Sequence, residues 1–275
     1  MINILMSTYN GAEYISAQLD SICSQSYSKW QLYVRDDGST DNTRQIVEQY
    51  ASTNSRIHLL PDDHLRLGAM QSFERLLSLC GDAPYLAFAD QDDVWNTDKL
   101  LVCYNHITQR EAQIGQSTPI VVHTDLTVVD HDLNTIAESF WQYSNLHPQL
   151  IESNIHYLAI ANCLTGCTML LNQACRQASL PFYHNAYMHD AWIGLSAMLN
   201  NGEIIAVNQP TMLYRQHQKN TLGALEYHFT LGQWKWKWFL AKRSYTAAKP
   251  YVFKNIAQFI YWKIRYFIAL HGLKK

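Results

Sequence analysis

The chain reads as an α/β protein with a mostly parallel sheet flanked by helices, and three observations predict it. Short apolar runs that read as buried strands alternate with helical segments at the spacing of βαβ units. Two of these strands run into acidic turns, Arg35-Asp36-Asp37-Gly38-Ser39-Thr40-Asp41-Asn42 and Ala89-Asp90-Gln91-Asp92-Asp93-Val94-Trp95. Both turns would emerge at the strand C-terminal edge, where open α/β sheets bind ligands. The 275 residues, 48% of them hydrophobic, suffice for one large domain with an appendage and argue against disorder.

In order, Ile2 to Ser7 predicts a strand followed by a helix over Glu13–Gln25, Leu32 to Val34 a strand followed by a helix over Thr40–Tyr50, and Ile57 to Leu60 a strand followed by a helix over Ala69–Leu79. Ser39, Thr40 and Asp41 supply cap chemistry for the second helix. Tyr85–Ala89 is a fourth strand leading into the second acidic turn, then come a helix near Asp98–Gln109 and a strand Ile120–Thr124. Residues 130–160 read as an irregular, polar region with several aromatics, suited to binding a ligand. A strand Leu164–Leu171 and a helix starting near His189 complete the domain, with a boundary between residues 222 and 223.

The charge is divided unevenly. From Leu231 to Lys275 there are eight Lys, two Arg and no acidic residue, so all 23 Asp and Glu lie upstream. The cations are interleaved with Trp234, Trp236, Trp238, Phe239, Tyr251, Phe253, Phe259, Tyr261, Trp262, Tyr266 and Phe267, which suits an anionic membrane surface rather than nucleic acid. Val252, Ile256, Phe259, Ile260, Phe267 and Leu270 approximate helical spacing, while Lys254, Lys263 and Arg265 break the apolar run well short of a span. The alternatives are packing on the upstream domain or a homodimer contact. Six scattered cysteines without metal spacing, and no leader at the start, predict a reduced cytoplasmic protein, peripheral at the inner face of the cell membrane.

Three carboxylates within four residues, Asp90, Asp92 and Asp93, repel one another unless a cation sits among them, and hard divalent ions favour oxygen ligands. The bland alternative is an acidic cap for the next helix.

Met6-Ser7-Thr8-Tyr9-Asn10-Gly11, the two acidic turns, Thr165-Gly166-Cys167-Thr168-Met169-Leu170, His189-Asp190-Ala191-Trp192 and Tyr214-Arg215-Gln216-His217 occur in an order that resembles the family 2 glycosyltransferases, which have the nucleotide-sugar-binding GT-A fold. The resemblance covers about the first 220 residues, and the Asp-Gln-Asp-Asp-Val-Trp and His-Asp-x-Trp spellings look most like rhamnosyltransferases of bacterial polysaccharide assembly.

The resemblance implies a site. Asp92 is the first-choice ligand for a divalent cation, Mn or Mg; Asp90 binds it directly, through water, or meets the ribose. Asp93 orients the sugar or caps the next helix, with Trp95 beside it as a further donor or acceptor contact. Ser7 and Tyr9 line the base, Tyr9 by stacking, and Asp37 accepts from the pyrimidine N3–H. Asp36 and Asp41 read as turn and cap residues. Arg66 stands where the family often has an Asn, and either reaches a base carbonyl or phosphate or is a solvated surface residue. Asp190 occupies the position of the general base in inverting members, with helix capping as its alternative and His189 as rival base or orienter. His217 is a further candidate metal ligand or a structural histidine, and Arg215 would offset phosphate charge.

The implied activity is inverting transfer from a dTDP- or UDP-linked sugar to a glycan or lipid-linked acceptor. Gln233-Trp234-Lys235-Trp236-Lys237 is not the Gln-x-x-Arg-Trp motif of processive synthases, so single addition is expected. A sugar nucleotidyltransferase would need a basic Gly-rich loop after the first strand, which Ser7-Thr8-Tyr9-Asn10-Gly11 lacks. A non-catalytic nucleotide-sugar-binding subunit would not need both Asp92 and Asp190.

Overall fold

The structure, a computed structural model, describes residues 1–61, 65–217, 242 and 244–272. The expected boundary at residues 222 and 223, and the aromatics Trp234, Trp236, Trp238 and Phe239, lie outside the described residues.

Among the described residues the chain runs β1 (Ile2–Thr8), α1 (Ile15–Cys23), β2 (Trp30–Asp36), α2 (Thr43–Thr53), β3 (Ile57–Leu59), α3 (Ala69–Leu79), β4 (Tyr85–Ala89), β5 (Val94–Trp95), α4 (Lys99–Ile114), β6 (Ile120–Val129), β7 (Thr135–Ala137), α5 (Phe140–Tyr143), α6 (Pro148–Ile151) and α7 (Ile155–Ile160). A 3₁₀ turn at Gly166–Thr168 then leads to β8 (Leu170–Asn172), α8 (Gln173–Ser179), α9 (His189–Leu199), β9 (Glu203–Arg215) and a long C-terminal helix, α10 (Ile256–Gly272). The strands form one sheet in the order β3-β2-β1-β4-β8-β6-β9-β5, with β7 on the side of β6. Pairings among β1 to β4 are parallel, β8 runs antiparallel between β4 and β6, and β6 and β9 are parallel again.

Strands covered on both faces need apolar residues throughout, and β1 and β4 are buried along almost their whole length. Their side chains alternate between two cores. Ile2, Ile4 and Met6 join one with Val34, Ile107 and Met212, while Leu5 faces the other with Phe73, Phe88, Leu171 and Trp192. Ala248, Phe253 and Phe259 are buried in that second core, so the described part of the C-terminal region packs onto the rest of the chain.

The structure corrects the expected elements in four places. The strand Ile120–Thr124 continues to Val129, buried throughout, because Asp125 inside it is satisfied by the backbone N–H groups of Leu126 and Trp141 and by the Ser139 hydroxyl. Residues 130–160 are not irregular but carry β7 and three short helices, two of them capped by the Ser139 and Asn154 side chains. The expected strand Leu164–Leu171 is a 3₁₀ turn followed by the short β8. The thirteen-residue β9 was not anticipated: its register against β6 jumps from Thr124↔Val207 to Asp125↔Pro210, so Asn208 and Gln209 bulge out where the sequence carries turn residues.

Candidate active site

Parallel pairing brings the first acidic turn beside the end of β1. Gly38 takes a positive φ of 81°, closed by Asp36, which accepts from Thr8 Oγ1 at 2.9 Å and Ser39 N at 2.9 Å. Asp41 accepts from Ala12 N at 3.1 Å and Thr43 N at 3.0 Å, tying the loop after β1 to the start of α2. Asp37 is only 4% exposed. Burial alone would raise its carboxyl, but donors at Leu67 N (2.7 Å), Arg35 Nη1 (2.6 Å), Gly68 N (2.8 Å) and Ser72 Oγ (3.1 Å) hold it below the usual carboxylate range. It therefore pins the segment preceding α3, with Oδ2 turned to Gly68 N.

That segment carries Arg66, whose guanidinium lies 4.2 Å over the exposed ring of Tyr9. Two residues expected at the nucleotide thus meet each other, with half-buried Ser7 just behind them in β1. Gln91 locks the loop end of β1 to the second acidic turn by accepting from Tyr9 N at 2.9 Å and donating to Tyr9 O at 3.0 Å. A Cβ on Gly11 would sit 2.2 Å from Gln91 Oε1, which accounts for the glycine there.

The second turn is the electrostatic centre. Asp90, half-buried at the end of β4, has its carboxyl pushed up to about 7 by burial and by the Asp92 charge, with Asp190 adding to the effect. Asp92 Oδ2 lies 2.7 Å from His217 Nε2, although the two are 125 positions apart in the chain. Tyr14, at the head of α1, stacks on the His217 ring at 4.7 Å and fixes its plane. Asp93 is 1% exposed, and burial together with the neighbouring carboxylates raises its carboxyl well above the ordinary range. Its Oδ1 accepts from Arg215 N at 3.3 Å, while Oδ2 is buried without a hydrogen-bond partner.

Asp90, Asp93 and Cys167 present ligand atoms within 4.8 Å of one another. The Cys167 thiol is held protonated by burial and by the two carboxylates, so the available donors are oxygens and one imidazole. That donor set, with mutually raised carboxyls and an orphaned Asp93 oxygen, fits a hard divalent cation.

Across from this turn, α9 starts at His189, and Asp190 lies in its first turn with 9% exposure. Burial pushes its carboxyl up to about 6, against hydrogen bonds from Ala191 N (2.5 Å) and Gly166 N that pull it down. A carboxylate with such a value is poised to take a proton near neutral pH.

Three residues expected to contact donor or acceptor have protein partners. His189 is 5% exposed, wedged against Phe73 at 4.2 Å and Phe88 at 5.1 Å, and burial lowers it to about 3, so it is neutral and in no position to act as base. Trp95 lies in the core, 3% exposed. Arg215 is 6% exposed and spends its guanidinium on the carbonyls of Asp92 and His131 and on the Tyr14 ring at 5.0 Å, bracing the acidic turn from behind.

Lys99 was not anticipated. It is buried over the Trp95 ring at 5.0 Å, with Nζ 3.5 Å from Thr211 Oγ1, and burial lowers its pKa. A lysine opening an apolar helix gives no signal that it points inward.

Gly166 is needed twice: its N–H serves Asp190, and a Cβ there would meet His189 Nε2 at 2.3 Å. Gly166→Ala is expected to cost about 1–3 kcal/mol by overpacking, because the Phe73 and Phe88 rings leave His189 nowhere to go. Thermal denaturation with parallel activity measurement checks it; unchanged stability and activity would refute the constraint.

A cavity of about 630 Å³ lies apart from these carboxylates, lined by Ser139, Trp141, Gln142, Glu152 and Asn208 among others, and no candidate site residue borders it.

The sheet order and its acidic edge are those of a GT-A fold, and solved structures agree on the fold. The protein resembles Staphylococcus aureus TarS 1-349 in complex with UDP-GlcNAc (TM-score 0.58, 18% identity, 88% of this chain and 66% of that one). It also resembles the mannosyltransferase PcManGT of Pyrobaculum calidifontis in complex with GDP-Man and Mn²⁺ (TM-score 0.58, 16% identity, 80% and 58%). The chain belongs to glycosyl transferase family 2, whose model matches residues 3–177. Among relatives it is similar to the dTDP-rhamnosyl transferase RfbG of Shigella flexneri, 28% identical over 94% of both chains. Another is the UDP-Glc:alpha-D-GlcNAc-diphosphoundecaprenol beta-1,3-glucosyltransferase WfgD of Escherichia coli, 29% identical over 76% of this chain and 73% of that one.

Proposed function

We propose that the protein is an inverting, cation-dependent transferase that moves a sugar, rhamnose from a dTDP donor first among the candidates, to a hydroxyl of a glycan or lipid-linked acceptor in surface polysaccharide assembly. The observation that carries it is the nearness of two unlike carboxylate sites: a clustered one at Asp90, Asp92 and Asp93 with His217, and a single buried one at Asp190 whose charge reaches Asp90. The similarity to RfbG over nearly the whole of both chains supports the sugar. Similarity to WfgD, named for a diphosphoundecaprenol acceptor, supports a lipid-linked one. Residues 1–222 are taken to carry the chemistry and 223–275 to be an extension, of which the described Phe253 and Phe259 are buried in the second core.

Tyr9 stacks the pyrimidine, with Arg66 moving aside or closing over it, and Asp37 accepts from N3–H. Asp92 and His217 hold the cation, with Asp90 alongside; when bound, it neutralises the charge that develops on the diphosphate. Asp190 accepts the proton of the acceptor hydroxyl as its oxygen attacks the anomeric carbon opposite the diphosphate, and the nucleoside diphosphate departs with the bonding electrons. A thermal-shift screen of nucleoside diphosphate sugars with and without Mn²⁺ or Mg²⁺ tests the assignment, because a ligand of the folded state alone raises its apparent stability. Stabilisation by one donor only when the cation is present is expected; indifference to every donor would refute it.

The raised carboxyls make stability depend on pH. Unfolded, Asp90 and Asp190 titrate near 4, whereas folded they do so at about 7 and about 6. Between those limits the folded chain binds more protons, so in cation-free buffer stability should decline as pH rises from about 4 to about 7, and the raised Asp93 carboxyl adds to the decline in the same direction. Asp37 and Asp41, held low, act only at more acidic pH. Asp90→Asn should flatten the decline and raise the melting temperature at pH 7.5. An equal decline in that variant would contradict the electrostatic account.

A further inference from the structure

The apolar side chains of α10 divide into two stripes. Phe259 is 4% exposed, the Trp262 ring stacks on His156 at 4.1 Å, and Tyr266 meets Tyr157 at 5.4 Å, so this face is seated on α7. Ile256, Ile260, Ile264, Phe267 and Ile268 point elsewhere, with exposures of 52, 50, 56, 50 and 61%. At about 100° per residue these five fall within an arc of about 120°. Exposed Lys263 follows one border of that arc and exposed Arg265 the other, with Tyr261, 52% exposed, between the arc and Arg265.

We propose that this outward stripe is a seat for an anionic membrane surface. A continuous row of half-exposed large apolar residues calls for an apolar partner. The borders identify which. Lysine and arginine flanking an apolar arc can swing their charges to phosphate headgroups while the arc enters the acyl boundary, Lys263 from its place 5.9 Å over the Phe259 ring and Arg265 from its hydrogen bonds to Tyr261 and Tyr157. From Leu231 onward the chain has ten basic residues and no acidic one, complementary to anionic lipid, whereas two copies meeting through α10 would bring together helices that carry Lys263 and Arg265 and no acidic residue to pair with them. No described helix is long and apolar enough to cross a membrane, so the geometry is that of a helix lying on the surface. Because α10 packs on α7, and α7 on α9, the seat connects through one helical layer to the element bearing Asp190. The inference concerns where the enzyme works and stands whichever donor it uses.

The test is co-sedimentation of the full-length protein, without donor, with phosphatidylcholine vesicles and with vesicles containing phosphatidylglycerol, at low and high salt, alongside light scattering of the protein alone. The variants are Ile260→Ser/Ile264→Ser/Ile268→Ser and Lys263→Gln/Arg265→Gln, each checked for an unchanged melting temperature. Wild type should favour the anionic vesicles and bind less at high salt. The triple variant should lose on the order of tenfold or more in partitioning, since three buried apolar side chains supply much of the insertion. The double variant should lose its preference for anionic lipid. No vesicle binding by wild type, or wild-type partitioning by the triple variant, would overturn the proposal. So would a solution dimer that the triple variant dissociates, which would make the stripe a contact between copies.

Discussion

Replacing Asp190 with Asn is expected to lower kcat by on the order of 10²–10⁴ while leaving donor affinity nearly unchanged, the span that a general base commands. The substitution keeps size and polarity, and the amide oxygen can still accept from Ala191 N and Gly166 N, so α9 should keep its start. What it removes is the basic oxygen. In the wild type, activity should rise with pH through about 6 as Asp190 ionises, and that limb should vanish in the variant. Steady-state kinetics across pH 5–8 with saturating cation checks both. A rate close to wild type would move the base elsewhere, and His189 is a poor refuge because burial holds it neutral and walled in by Phe73 and Phe88.

The second large effect is expected at Asp92. Asp92→Asn should abolish detectable transfer and weaken cation-dependent donor binding with the fold intact. Asp92 faces His217 at 2.7 Å, and removing its charge also relieves Asp90, so the variant should be at least as stable as wild type without cation. Loss of binding with retained or higher melting temperature separates a ligand role from a structural one. Donor binding measured by calorimetry with and without Mn²⁺ decides it: equal cation dependence in variant and wild type would remove Asp92 from the ligand set.

The carboxylate edge was legible because its residues sit at strand ends in a pattern that a sheet interior does not tolerate, and β1, β4 and α3 were legible because burial on both faces or on one stripe leaves a plain periodicity. The meeting of Asp92 and His217 was not in any local pattern. It depends on β9 running parallel to β6 and delivering Arg215 beside Asp93, and Asn208-Gln209-Pro210 hid that strand by spelling a turn where the structure makes a bulge. Motif residues were harder to sort than motifs. Trp95 and His189 lie next to acidic site residues in sequence, yet alternation along a short strand or the first turn of a helix sends them under the site rather than into it. Arg215 reads equally as a phosphate ligand or as a brace until its partners, the Asp92 and His131 carbonyls, are known. The tail showed its basic, aromatic character in composition, but only the packing on α7 separates Phe259, Trp262 and Tyr266 from the outward Ile256, Ile260, Ile264, Phe267 and Ile268.

The most direct measurement is release of nucleoside diphosphate coupled to acceptor glycosylation, with a panel of dTDP- and UDP-sugars, for wild type, Asp92→Asn and Asp190→Asn, in Mn²⁺ and in excess chelator. The account predicts turnover with one donor, dependent on the cation and lost in Asp92→Asn. It predicts that Asp190→Asn still binds that donor but turns it over on the order of 10²–10⁴ more slowly. Undiminished transfer in chelator, or by Asp190→Asn, would contradict it.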